Sequence, residues 1–282
     1  MSTHLFTKTP ASIPTPASIP VSAPTHTFAI CAYQDSPYLE ACIKSLKRQT
    51  VPSRIILCTS TPSPFIEAMG EKYGIPVYVR EGKSDIQDDW NFAYHMAETK
   101  LVTIAHQDDM YHKEYARMAG DLWKKYPDAT VMMTDARIVK DHQIQRPDRV
   151  ELVKKILRLP LRMTCLSHLG PVKKSVLRFG NPVMCPSCTY DKEKLGEPLF
   201  HSDYKFALDW DTMLHLAGRP GRFICVEKPL LYYRIHEDAE TQKCIRDHRR
   251  EQEEAEMFGK FWPEWMVKLL MKGYQKGYER CE

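Results

Sequence analysis

No run of about 18 apolar side chains occurs anywhere in the 282 residues, so the sequence carries no pattern for a membrane-crossing helix. Its first residues also lack the continuous apolar stretch of a secretory signal. Charge of one sign is scarce: 40 Lys and Arg against 36 Asp and Glu leave a formal net charge of +4, too little to argue for a nucleic-acid partner. Among the nine cysteines one pair alone has redox or zinc spacing. Cys185-Pro186-Ser187-Cys188 has no second pair and no His-x-x-x-His to complete it, and therefore reads as a loop rather than a zinc site. Cys31, Cys42, Cys58 and Cys225 fall inside apolar patterns, as buried thiols of a reducing, cytoplasmic compartment do. Missing too is the Gly-rich basic loop after the first strand that a nucleotidyltransferase needs to cradle phosphates.

What is present is an ordinary globular composition, 43% apolar and 27% charged, with material for one large domain or two small ones. Residues 1–26 repeat a Pro/Ala/Ser/Thr phrase, Ala11-Ser12-Ile13-Pro14 and then Ala17-Ser18-Ile19-Pro20. Such a segment cannot bury enough apolar area to offset its ordering entropy, which predicts a flexible tail without chemistry.

From Phe28 strand and helix patterns alternate. Phe28 to Tyr33 reads as a strand, and Ser36-Pro37 then supplies a cap and a first-position proline. Leu39, Cys42, Ile43 and Leu46 follow at the spacing of one helix face. Strands are predicted at Arg54 to Thr59, Val77 to Val79, Leu101 to Ala105 and Val131 to Met133. Helices are predicted at Pro64 to Tyr73, Trp90 to Glu98 and Lys113 to Tyr126, with Asp88 and Asp89 as candidate caps of the second. Short connections between alternating elements imply an α/β fold, a mainly parallel sheet covered on both faces.

The strand at Leu101 ends abruptly in His106-Gln107-Asp108-Asp109. Ligands of open α/β sheets lie beyond the carboxyl ends of the strands, so these acids stand where a substrate would be held. Two carboxylates there suit a hard cation such as Mg²⁺, which completes its shell with substrate phosphates and water. A solvated Asp-Asp turn is the plainer alternative.

Cys31-Ala32-Tyr33-Gln34, Gln49-Thr50, Trp90-Asn91, His106-Gln107-Asp108-Asp109, Gly180-Asn181-Pro182, Leu208-Asp209-Trp210-Asp211 and Tyr233-Arg234-Ile235-His236 follow one another in an order that resembles the family 2 glycosyltransferases of the GT-A fold. The resemblance covers residues 27–241 and leaves 242–282 as a C-terminal helical extension. It implies an inverting, metal-dependent transfer of a sugar from a nucleotide-sugar, UDP-linked by family frequency, to an acceptor hydroxyl on a glycan, a lipid-linked saccharide or a protein. It further implies Asp109 as ligand of Mg²⁺ or Mn²⁺, Asp108 near the ribose, and nucleotide contacts from Ala32, Tyr33, Asp35 and Asn91. Asp209, before a predicted helix, matches the family's catalytic base, with Asp211 in support. The plain reading of Asp209 is a helix cap, and the two roles are compatible. Arg234 and His236 would contact the diphosphate or the acceptor, or else form an ordinary strand-end pair.

Two departures from the family stand out. His106 occupies the place of an acid, and Thr59 and Ser60 stand where acidic residues commonly read the nucleobase, with the Thr59 hydroxyl the expected contact to the base edge in their stead. Both leave room for a second class of function, a non-catalytic nucleotide-sugar or glycan binding module on the same fold. The C-terminal residues pattern as helices. Trp265, Met266, Leu269 and Leu270 form one side, and Lys268, Lys272, Lys276 and Arg280 recur every four residues. That basic stripe is either a peripheral membrane contact or the solvated face of a packed helix.

Overall fold

The computed structural model describes residues 24–141, 143–236 and 249–275. The chain begins with β1 (His26–Ala32), α1 (Leu39–Lys47), β2 (Arg54–Thr59), α2 (Pro64–Tyr73), β3 (Val77–Val79), α3 (Ile86–Met96) and β4 (Leu101–His106). It continues through β5 (Met110–Tyr111), α4 (Tyr115–Lys125), β6 (Ala129–Lys140), β7 (Gln143–Ile144), α5 (Arg149–Leu157), α6 (Leu159–Arg162) and α7 (Gly170–Val176). Then come β8 (Cys188–Asp191), α8 (Lys192–Leu195), α9 (Leu208–Gly218), β9 (Arg222–Arg234), α10 (Arg249–Gly259) and α11 (Glu264–Gln275).

One sheet carries the strands in the order β3-β2-β1-β4-β8-β6-β9-β5, with β7 added against β6. Strands β3, β2, β1 and β4 are parallel, as is the long pairing of β6 with β9, so most of the paired register is parallel. The sheet is covered on both faces, as the alternating pattern predicts. Phe28, Ile30 and Ala32 point into a core shared with α1 and α4, whereas Ala29 points into a second core with α3 and α9. In α1 the buried residues are Leu39, Cys42, Ile43 and Leu46, the face read from their spacing. Ser63 accepts the Ile66 N–H to start α2, and Gly74, at φ +56°, stops it in the left-handed region.

Some boundaries differ from expectation. Helix α3 starts at Ile86 rather than Trp90, because the Asp85 carboxylate accepts the Gln87 and Asp88 N–H groups; Asp88 and Asp89 are first-turn residues and not the cap. The expected tail overlaps β1 by one residue, since His26 pairs with Leu101 and is buried between Ser53 and Thr103. Residues 1–23 of that tail lie outside the described residues, as do Lys276 and Arg280. No helix among the described residues is long and apolar enough to cross a membrane.

The C-terminal helices join the same core as α9. Met257, Phe258 and Met271 are buried there, and the Phe258 ring meets the Trp210 edge at 5.1 Å between centroids. Helix α5 is the contrary case: none of its residues is buried.

Candidate active site

Because β1, β2 and β4 are parallel and in register, their carboxyl ends arrive together, with Ala32 beside Thr59 and Cys31 beside His106. That edge is where a doubly covered sheet opens to ligand. The loops leaving it are tied to one another. The Tyr33 N–H donates to Gln107 Oε1 at 3.0 Å, and Gln107 Nε2 donates back to the Tyr33 carbonyl at 2.9 Å. Gln34, held at φ +54°, donates its N–H to Thr61 Oγ1, and Ser63 donates to Asp35 Oδ1 at 2.6 Å.

These loops form one wall of an open cleft of about 1830 Å³. Pockets for a single drug-sized ligand measure about 300–1,000 Å³, so this larger cleft has room for a donor and an acceptor. The opposite wall comes from α5, the Asn181–Pro186 segment, the start of α9 and the two C-terminal helices, through residues including Lys154, Asn181, Asp209, Arg250 and Tyr274.

The acid pair divides its work. Asp108 Oδ2 lies 2.8 Å from His236 Nε2, which brings one oxygen and one imidazole nitrogen together at the cleft. Burial pushes the Asp108 carboxyl up, but the His236 hydrogen bond and the charges of His106 and His236 outweigh it and hold it below the usual carboxylate value. Asp109 is buried behind it, where Oδ1 accepts the Arg234 N–H at 2.9 Å while Oδ2 has no hydrogen-bond partner. Burial, then the Asp108 charge, push the Asp109 carboxyl well above its usual value. The orphaned Asp109 oxygen beside the Asp108 carboxylate is the kind of hard oxygen donor that fits Mg²⁺ or Mn²⁺. Among the described residues no three His, Cys, Asp or Glu side chains cluster as a ready-made site, so substrate phosphates and water would complete the shell.

His106 stacks on Trp90 at 5.1 Å, and its Nε2 is buried without a partner. Burial pulls its pKa down against the charge of Asp108, which favours a neutral ring.

Asp209 stands in the first turn of α9 and faces the cleft. Its Oδ1 accepts the Trp210 N–H at 2.7 Å. Burial pushes its pKa up to about 6, against the Trp210 bond, the Lys154 charge and a hydrogen bond with the Asn181 side chain. The cap of α9 is Ala207 and not Asp209. That terminus is instead served by buried Glu253 of α10, whose carboxylate accepts the N–H groups of Lys205, Phe206 and Ala207, the last two at 2.7 and 2.9 Å. Asp211 faces away from catalysis: it accepts from Ser202 Oγ at 2.7 Å and pairs with Lys260 at 2.6 Å.

Ala32, Tyr33, Asp35, Asp108, Asp109, Asp209 and His236 therefore border one cleft, whereas Thr59, Asn91 and Arg234 do not face it. The Thr59 hydroxyl is spent on the Thr61 N–H, and Ser60 donates to Asp89. The Asn91 amide clamps both backbone groups of Phe200, at 2.7 and 2.9 Å. Strand β9 ends at Arg234, so the alternation that would aim Arg234 and His236 together stops between them. The Arg234 guanidinium lies 4.4 Å over the Tyr38 ring and donates through Nε to the Asp108 carbonyl. Sequence reasoning missed Asp89, which faces the cleft and gathers Arg80, Ser60 and Ser84. Those partners come from two loops, after β2 and after β3, so no single spacing betrays them.

Comparison with known proteins agrees with this geometry. The family described as "Glycosyl transferase family 2" matches residues 27–188. No curated protein sequence matches the chain. Similar solved structures include a mannosyltransferase from Pyrobaculum calidifontis in complex with GDP-Man and Mn²⁺, at 15% identity and TM-score 0.61, covering 88% of this chain and 70% of that one. TarS residues 1–349 from S. aureus in complex with UDP-GlcNAc is 15% identical, with TM-score 0.58 and the same 88% and 70% coverage. Glucosyl-3-phosphoglycerate synthase from Mycobacterium tuberculosis, in complex with Mn²⁺ and UDP-Glc, is 13% identical at TM-score 0.55, covering 82% and 77%. At such identities the structural likeness carries the fold, while the family match covers more than half of the chain: the protein belongs to glycosyl transferase family 2 and is a glycosyltransferase of the GT-A fold.

Proposed function

We propose that the protein moves a sugar, with inversion, from a nucleoside-diphosphate sugar to an acceptor hydroxyl, with Asp209 as base and Mg²⁺ or Mn²⁺ held at the Asp108–Asp109 pair. The observation that carries this reading is the Asp209 carboxylate in the cleft wall, its pKa raised to about 6 by burial. A free aspartate near 3.9 is a weak base, whereas one near 6 is still mostly ionised at neutral pH and takes a proton more readily.

In this reading the tied loops of β1 and β4 bind and orient the nucleotide end of the donor, through Tyr33, Asp35 and Asp108. Asp209 accepts the proton of the acceptor hydroxyl as its oxygen attacks the anomeric carbon, and the nucleoside diphosphate leaves. The metal, when bound, neutralises charge growing on that leaving group. One base and one leaving-group site equip the cleft for a single displacement, which inverts the anomeric centre. His106, stacked on Trp90, lines the same cleft beside the acid pair. UDP-sugars are the first donors to test, with GDP-sugars next. The acceptor belongs to a glycan, a lipid-linked saccharide or a protein.

The test is a screen of nucleotide release from several UDP- and GDP-sugars, with and without Mn²⁺, for wild type and Asp209→Asn. Metal-dependent release from one donor by wild type alone is the expected result. Release that ignores Mn²⁺, or that survives unchanged in the variant, removes the proposal.

A further inference from the structure

The segment that follows α7 is gripped, residue after residue, by side chains from far along the chain. Trp210 of α9 donates its indole N–H to the Leu177 carbonyl at 3.1 Å. Trp262, between α10 and α11, donates to the Arg178 carbonyl at 2.8 Å and packs its ring on Phe179 at 5.1 Å between centroids. Tyr274, near the end of α11, takes the next position. Gly180 stands at φ +126°, and a Cβ on it would collide with the Tyr274 hydroxyl. Glycine alone combines that backbone conformation with so close an approach. The same hydroxyl oxygen accepts the Asn181 N–H, and the Tyr274 ring is fixed by an edge contact with Phe258 at 5.2 Å.

The turn held in this way aims an amide. Asn181 Oδ1 accepts the Val183 N–H at 3.1 Å, the local bond an Asn makes two residues along its own backbone. That bond settles which way the amide faces, and its NH₂ is turned to the Asp209 carboxylate, to which it donates. The Trp210 N–H donates to the same carboxylate, through Oδ1. Asn181, Asp209 and Tyr274 all border the cleft.

We propose that Asn181 is a positioning residue for the Asp209 carboxylate and that Tyr274 sets Asn181 in place, so that α11 completes the wall of the active site. Two donors, one from its own helix and one from the gripped turn, keep the carboxylate from rotating. Such control matters, because a misplacement of about 1 Å can cost a factor of about 100 in rate. The family match ends at residue 188, so the far end of this hold is supplied by a part of the chain beyond it. The catalytic meaning of the hold rests on Asp209 as base; the hold itself does not, and its test reads the carboxylate directly.

The other titratable groups that face Asp209 are Lys154 of α5 and Cys185, Cys188 and Tyr190 from the segment of β8. Burial raises the pKa of both thiols and of the phenol, so all three stay neutral at neutral pH. None of the four is altered by the substitutions below.

The experiment is a carbon-13 NMR titration of the aspartate carboxyls in the full chain, without nucleotide or metal. The Asp209 signal is assigned by its loss in Asp209→Asn, and in wild type it should titrate near pH 6. Asn181→Ala removes the donor and should move the midpoint up by about one pH unit, the worth of a hydrogen bond to a charged group. Tyr274→Phe keeps the ring against Phe258 but removes the acceptor of the Asn181 N–H, and should move the midpoint the same way by less. The double variant should titrate with Asn181→Ala alone, because Tyr274 acts through Asn181. The proposal is overturned if either single variant titrates as wild type, or if the two shifts add. A Tyr274→Phe chain that melts lower yet titrates as wild type would make α11 a packing element only. The full set of shifts, with Asp209→Asn transferring sugar at the wild-type rate, would keep the hold and remove the base reading instead.

Discussion

The two walls of the cleft are built by different means. The wall at the tips of β1, β2 and β4 comes from local alternation of strand and helix, and parallel register alone brings Ala32, Thr59 and His106 level. The wall bearing Asp209 is assembled from distant parts of the chain. Glu253 reaches back to the N–H groups before α9, Lys260 holds Asp211, and Gly180 leaves room for the Tyr274 hydroxyl, which a side chain there would strike. The difference implies a division of labour: variants of the first wall should weaken donor binding, and variants of the second should slow transfer.

The largest expected break is Asp209→Asn. It keeps the shape and removes the proton acceptor, so transfer should slow by about two to four orders of magnitude while nucleotide affinity stays near wild type. Burial also makes the ionised group costly. Its folded pKa lies above the unfolded value, so its contribution to stability is present below about 3.9 and is lost as pH rises through about 6. At pH 8 the Asn variant should therefore melt no lower than wild type.

Asp108→Ala sharpens the comparison from the other wall. It removes the partner of His236 and one carboxylate of the proposed metal pair. Calorimetry should show nucleoside diphosphate binding weakened by about 10–100-fold in the presence of Mn²⁺ and by a smaller factor in its absence. A variant that binds normally but transfers slowly would erase the division.

The smallest effect is asked of Glu253→Ala. It strands the N–H groups of Phe206 and Ala207, and unfolding in urea should report a loss of about 1–3 kcal/mol. Rescue by Glu253→Gln should be partial, since an amide oxygen accepts but carries no charge to meet the helix terminus.

The same contrast governs what could be read from the chain. The strands of the first wall, the buried face of α1 and the acids at the end of β4 were legible, because each follows from periodicity and from where ligands meet a parallel sheet. Single side chains were less so. Thr59 and Asn91 hold position by bonding Thr61 and Phe200, and no sequence pattern distinguishes such a hydroxyl or amide from one aimed at a ligand. Arg234 and His236 part company because β9 ends between them, and strand ends are set by the neighbouring strand, here β6. The second wall was legible only through the family resemblance that singled out Asp209. Glu253 stands four residues after Arg249, a spacing that by itself pairs the two on a solvated helix face, yet it is buried beneath α9, a contact across 46 residues that no local pattern encodes.

The most direct test of the base assignment is kcat/KM against pH in the presence of Mn²⁺, which reports groups of the free enzyme, for wild type and Asp209→Asn side by side. As pH falls, the ionised base is lost through the pKa of Asp209, so the wild-type rate should drop to half near pH 6, and the slow residual rate of the variant should show no such limb. A limb near pH 6 that persists in Asp209→Asn, or a wild-type rate that stays flat until the free carboxylate value near 4, would contradict the account.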